Sequence, residues 1–181
     1  MNLLPDRPTQ LNSQPTSATL ANGSSLCLAC GLCCTGVLHP HAGLAPGETE
    51  LAQSLGLTVE PLEEPSHFCL PCPLHLNHRC SVYTALRPRV CGDYRCSLLN
   101  KLLAGEISLA QGLQIVGRAH DLLAEVSAHL PPGLTFAHFR LEEGPVGPGD
   151  DPGRLLAIVK LARYLQKHFD SAGHTASGGP G

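Results

Sequence analysis

Nine cysteines lie between Cys27 and Cys96, and none follows in the rest of the 181-residue chain. Thiolates serve as nucleophiles, redox groups and soft metal ligands, and their spacing selects among these roles. In Cys27-Leu-Ala-Cys30-Gly-Leu-Cys33-Cys34 two Cys-x-x-Cys steps overlap and a fourth cysteine follows at once. A Cys-x-x-Cys turn brings both sulfurs to one side, where one metal can accept both. Gly31 and Gly36 permit the left-handed backbone that such a knuckle needs. Adjacent side chains diverge, so Cys33 and Cys34 are expected to reach two metal sites that share a wall. A second group follows as Cys69, Cys72, Cys80, Cys91 and Cys96. Two four-thiolate sites would use eight of the nine sulfurs and leave one structural or exchangeable.

Other uses of the thiols fit less well. An odd number of cysteines confined to one part of the chain argues against a disulfide framework. Small buried thiols explain scattered cysteines, not clustered ones. A lone Cys-x-x-Cys would suit a thioredoxin-like redox site, but four cysteines between positions 27 and 34 favour metal. The first three match the spacing that loads three corners of a cubane iron-sulfur cluster in bacterial ferredoxins. There the next cysteine comes three residues later and precedes proline, whereas here Cys34 follows directly.

Charge is distributed to match. No Asp, Glu, Lys or Arg occurs from Pro8 to Gly47, so the first group has no nearby counter-ion in sequence other than a metal cation. From Cys69 to Cys96 there are Arg79, Arg87, Arg89 and Arg95 against Asp93 alone. Four thiolates around a divalent ion remain negative, and guanidinium groups donating to sulfur would offset that charge. Arg87 and Pro88 are assigned to orienting the second cluster at the cofactor, while Arg79 reads equally well as a solvated charge. His39, His41, His67, His75 and His78 lie in the same stretch. With so many thiols they read as surface or supporting residues, His75 and His78 being the first candidates for ligands because they fall between Cys72 and Cys80.

The elements that must position these residues form a mostly α chain with little β: an irregular cysteine-rich metal-binding module followed by three or four helices. Residues 1–25, rich in Ser, Thr, Asn, Gln and Pro, read as a disordered lead-in. Residues 26–96 form the module, 97–170 a helical region packed on it, and 171–181 a disordered tail. Pro46-Gly47-Glu48 opens a short helix that stops at Gly56. A helix over Leu98 to Ala104 precedes a longer one that opens on a Ser108/Gln111 capping box. Its apolar residues recur from Leu109 to Leu130. Asp151-Pro152 starts a last helix, with Leu155, Val159, Ala162, Leu165 and Phe169 on one face. A strand is expected over Leu134 to Leu141, and a turn-rich break at Gly144 to Gly149. The helices can bury their own apolar faces. The turns of residues 27–96 are expected to depend on bound metal in place of apolar contact.

These residues resemble the YkgJ-type cysteine-cluster family of zinc- or iron-chelating proteins. The likeness runs from Cys27-Leu-Ala-Cys30-Gly-Leu-Cys33-Cys34-Thr-Gly36 through Cys72-Pro-Leu and Cys80-Ser-Val-Tyr83 to Arg87-Pro88 and Cys91-Gly-Asp-Tyr94-Arg-Cys96. It covers residues 27 to 96. The resemblance implies metal binding, through zinc or an iron-sulfur centre, and little about reaction or substrate. It implies Cys27, Cys30, Cys33, Cys34, Cys80 and Cys91 as ligands, with Cys69, Cys72 and Cys96 less uniformly placed among relatives. Arg87 and Pro88 match the family's Arg-Pro element. The position after Tyr83, often acidic in the family, is Thr84 here.

Three functions are consistent with this pattern. The first is a protein that holds zinc or iron. The second is an iron-sulfur oxidoreductase or its accessory factor, and the third is a zinc-stabilised module whose C-terminal helices, between Ser108 and His129, contact a protein partner. No flavin, nicotinamide or radical-cofactor motif is visible, and no Ser-His-Asp or paired-carboxylate arrangement, which weighs against an autonomous enzyme and leaves catalysis open. With 12 Lys+Arg against 15 Asp+Glu, the chain has no basic field to gather nucleic acid. The longest apolar run, Leu155 to Val159, is far short of the roughly 20 residues that span a bilayer. No signal segment is evident at the N-terminus, so a cytoplasmic protein is expected.

Overall fold

A computed structural model describes residues 17–60, 66–136 and 151–170. In chain order the elements are α1 (Ser17–Cys30), β1 (His41–Gly43), α2 (Thr49–Ser54), β2 (Val59–Glu60), β3 (His67–Cys69), β4 (His75–Leu76), β5 (Arg79–Cys80), α3 (Val90–Asp93), α4 (Ser97–Leu103), α5 (Leu109–Ser127) and α6 (Pro152–His168). The chain is mostly α, about half helical with a few short strands. No described helix is long and apolar enough to cross a membrane.

The expected caps are present. Ser108 accepts from the Gln111 amide while the Gln111 side chain accepts from the Ser108 amide, closing the capping box of α5. Asp151 accepts from the Gly153 and Arg154 amides at the start of α6, with Pro152 as its first residue. Gly56 follows α2 at φ +75°.

The lead-in expectation is corrected at its C-terminal end: residues 17–25 belong to α1, and residues 1–16 lie outside the described part. Sequence pattern missed α1 because it carries no stripe of large apolar residues. Its packing rests on close approach instead. A Cβ at Gly23 would lie 3.3 Å from Leu99 Cδ1 on α4, and one at Gly112 on α5 would lie 3.1 Å from Leu26 Cδ1 on α1. Helical order in short segments comes chiefly from such tertiary contact. The strand expected over residues 134–141 is not formed at 134–136, and its remainder lies outside the described residues, as do the break at 144–149 and the tail at 171–181.

The main core joins Leu26, Leu32 and Val37 to Leu98 and Leu102 of α4, Val116, Ala119, Leu122 and Val126 of α5, and Ala157, Leu161 and Phe169 of the C-terminal part. A second core holds Leu44, Ala52, Leu57, Phe68 and Leu70. The expectation that residues 27–96 lack apolar support is therefore corrected: part of that stretch enters the helical core and part forms its own.

Two small antiparallel sheets complete the fold. In the first the order is β1-β3-β2, with His41 opposite Cys69, Ala42 and Val59 opposite Phe68, and Gly43 and Glu60 opposite His67. Phe68 faces the second core, and alternation turns its neighbours to the other face. In the second sheet β4 and β5 pair through a two-residue turn in which Asn77 and His78 have φ of 49° and 61°. Positive φ at both turn positions matches the twist of a tight hairpin, and Asn tolerates it well.

Candidate metal centres

α1 ends at Cys30, and the chain leaves it through Gly31 at φ +62° and turns again at Gly36 at φ +77°. The Gly31 amide donates to the Cys27 carbonyl, and the Thr35 amide to the Gly31 carbonyl. The last turn of α1 thus carries Cys27 and Cys30, and the turn after it carries Cys33 and Cys34. The Cys30 carbonyl accepts from His120 Nε2 of α5 at 2.9 Å, which fixes the loop to the helical core. His120 gave no sequence signal, because 90 residues separate it from its partner.

Burial and mutual charge sort the thiols into two sets. Burial pushes Cys27 up to about 11, with Cys96 adding to the rise and Arg87 opposing it. Burial likewise pushes Cys30 up to about 12, a backbone amide at Leu32 opposing and Cys96, Cys27 and Cys34 adding. Cys33 is held well above the usual thiol range by burial, then by Cys30, Cys96, Cys34 and Cys27. Cys96 is also raised by burial, although the amides of Leu99 and Leu98 at the start of α4 oppose it. Cys96 thus acts on Cys27, Cys30 and Cys33 alike, and Cys34 also acts on Cys30 and Cys33.

Cys34 has a different company. It is pushed up to about 12 by burial, then by Cys72, Cys80 and Cys91, with Arg87 opposing. Cys91 rises to about 11 through burial, against Arg87, with Cys72 and Cys80 adding. Burial raises Cys72 too, and Cys80 adds to it. The β4–β5 hairpin sets His75 opposite Cys80, and the Cys72 amide donates to the Cys34 carbonyl at 2.7 Å. Cys33 and Cys34 thus differ in company: Cys33 feels Cys30, Cys96, Cys34 and Cys27, whereas Cys34 feels Cys72, Cys80 and Cys91.

Arg87 stands beside the second set. Its Nη1 donates to Cys80 Sγ at 4.0 Å, and its guanidinium lies 4.2 Å from the Tyr83 ring centroid. Pro88 beside it is fully buried. Arg89 is three-quarters exposed and pairs with Asp93, while Arg79 and Arg95 are also exposed. Of the four arginines, Arg87 alone reaches toward sulfur.

His75 packs over the first loop: a Cβ at Gly31 would fall 2.5 Å from its Nε2, which is buried without a hydrogen-bond partner. Burial lowers its pKa, and His78 and His120 lower it further, so the neutral ring is favoured. His39 shares a hydrogen bond of 2.8 Å with the Tyr94 hydroxyl.

Cys69 stands apart from both sets. Burial raises its thiol, and the Glu60 carboxylate raises it further. All nine cysteines are free thiols, and Cys91 is the exposed one among them. Among the described residues, no three His, Cys, Asp or Glu side chains stand close enough together to hold one ion without moving. In type and number, however, each set supplies the four sulfurs of a thiolate centre. Comparison with protein-family models, with curated proteins and with solved structures found no match.

Proposed function

We propose that this chain is a metal-binding protein that holds zinc or iron in two thiolate centres, one on Cys27, Cys30, Cys33 and Cys96 and the other on Cys34, Cys72, Cys80 and Cys91. The gathering of Cys33 with Cys30, Cys96 and Cys27, and of adjacent Cys34 with Cys72, Cys80 and Cys91, supports this reading most directly. Burying four thiols together is unfavourable for any charged form unless a cation is gathered with them. Binding an ion releases the thiol protons and requires the sulfurs of a set to close on it. Bound metal would tie the end of α1 to the start of α4 in the first centre, and the hairpin to α3 in the second. An iron-sulfur centre would add one-electron transfer to that structural role. Arg87 would offset the excess negative charge of the second centre through Cys80. The reducing cytoplasm would keep the thiols available.

The test is anaerobic purification followed by metal analysis and a visible spectrum. Stoichiometric zinc in a colourless protein selects zinc, and iron with sulfide in a brown protein selects the iron-sulfur form. A protein that folds and retains neither metal overturns the proposal.

A further inference from the structure

The open face of the first sheet carries a group that the two thiol sets leave unused. Phe68, Ala42 and Val59 turn toward the second core, so alternation puts His41, His67, Cys69 and Glu60 together on the opposite face. Cys69 lies directly opposite His41, and His67 directly opposite Glu60. The His41 and His67 rings stand 4.7 Å apart between centroids. His67 Nε2 lies 3.6 Å from Glu60 Oε2, yet it is buried and makes no hydrogen bond. Gly43, the other residue opposite His67, would meet nothing within 4 Å if it carried a Cβ, so the ring has room to turn.

We propose that His41, His67, Cys69 and Glu60 form a third metal site, a mixed nitrogen, sulfur and oxygen site for a divalent ion such as zinc. Two imidazoles with a thiolate and a carboxylate are a donor set that suits Zn2+ or Co2+ better than the hard cations Mg2+ and Ca2+. Ligands at ~2.1 Å from one tetrahedral ion stand about 3.4 Å from each other, close to the observed 3.6 Å between His67 and Glu60. Binding displaces the Cys69 proton: thiol plus divalent ion gives metal thiolate plus a released proton. The rings of His41 and His67 complete the set by rotating on a backbone that is already in register. This site does not rest on the two thiolate centres.

Titration of the full metal-stripped chain with Zn2+, and separately with Co2+, tests it. Wild type should bind one equivalent more than Cys69→Ser and one more than His67→Gln, and the lost Co2+ equivalent should carry a single-thiolate charge-transfer band. Glu60→Gln should weaken that same equivalent, and Cys80→Ser should leave it intact. Metal-free circular dichroism spectra of all variants should match wild type, since the altered side chains lie off the core face. Wild-type stoichiometry in either Cys69→Ser or His67→Gln overturns the proposal. So does loss in Cys69→Ser alone, which would assign Cys69 to another centre. A failure of the thiolate centres is distinguishable, because it would remove metal from the chain and leave this equivalent in Cys80→Ser.

Discussion

At the residue scale the decisive pair is Cys33 and Cys34. Cys33 feels Cys30, Cys96, Cys34 and Cys27, whereas Cys34 feels Cys72, Cys80 and Cys91. Cys33→Ser should therefore remove metal from one centre and Cys34→Ser from the other, with the double variant losing both. Metal analysis with the spectrum of each variant checks this, and equal loss from both centres in either single variant would contradict it. Gly31 has two independent reasons to be glycine, its positive φ and the His75 ring 2.5 Å from where a Cβ would sit. Gly31→Ala should lower stability by on the order of 1–3 kcal/mol, measured by denaturant unfolding. Arg87→Lys keeps the charge but loses the planar fork that reaches Cys80 and stacks on Tyr83. Metal affinity of the second centre should fall by about 10- to 100-fold, while Arg79→Lys, at an exposed position, should change nothing in the same competition assay.

At the element scale, helices with local signals carry the least metal chemistry. The Ser108 capping box is closed as its residues dictate, and Ser108→Ala should cost about 1 kcal/mol in thermal or denaturant unfolding without altering metal content. Such caps were legible because three or four adjacent residues specify them. The same holds for Gly56 after α2 and for Asp151-Pro152 before α6. α1 was not legible. Its helix is held by the approach of Leu99 to Gly23 and of Leu26 to Gly112, contacts between residues far apart in sequence that leave no periodic mark. The sheet-face group was only half legible: His67-x-Cys69 alternates as a strand would, but His41 and Glu60 join it through pairing alone. Cysteine spacing identified the clustered thiols, and their company in the fold was not legible from it.

At the scale of the whole molecule, the boundary drawn at Cys96 does not separate a metal module from a helical one. α1 packs on α4 and α5, the Cys30 carbonyl is held by His120 of α5, and Cys96, the residue before α4, acts electrostatically on Cys27, Cys30 and Cys33. Stripping metal should therefore loosen α1 and the start of α4 together, read as faster amide exchange in both after chelation. Protection lost only in the turns would show that the helices stand alone. The metal-free state should also carry a mark in its pH dependence. Cys27, Cys30, Cys34 and Cys91 sit at about 11, 12, 12 and 11 when folded, against an ordinary 9.0. Below pH 9 both folded and unfolded chains hold these protons, so the contribution to stability is complete. Above it the unfolded chain loses its protons first, and stability falls as pH climbs toward the folded values. The melting temperature of reduced, metal-free protein should be level from pH 7 to 8.5 and drop between pH 9 and 11. The drop should be shallower in Cys30→Ser, which removes one of the raised thiols. A melting temperature independent of pH across that range would mean that the thiols are solvated once metal leaves, and that the two sets exist only around their ions.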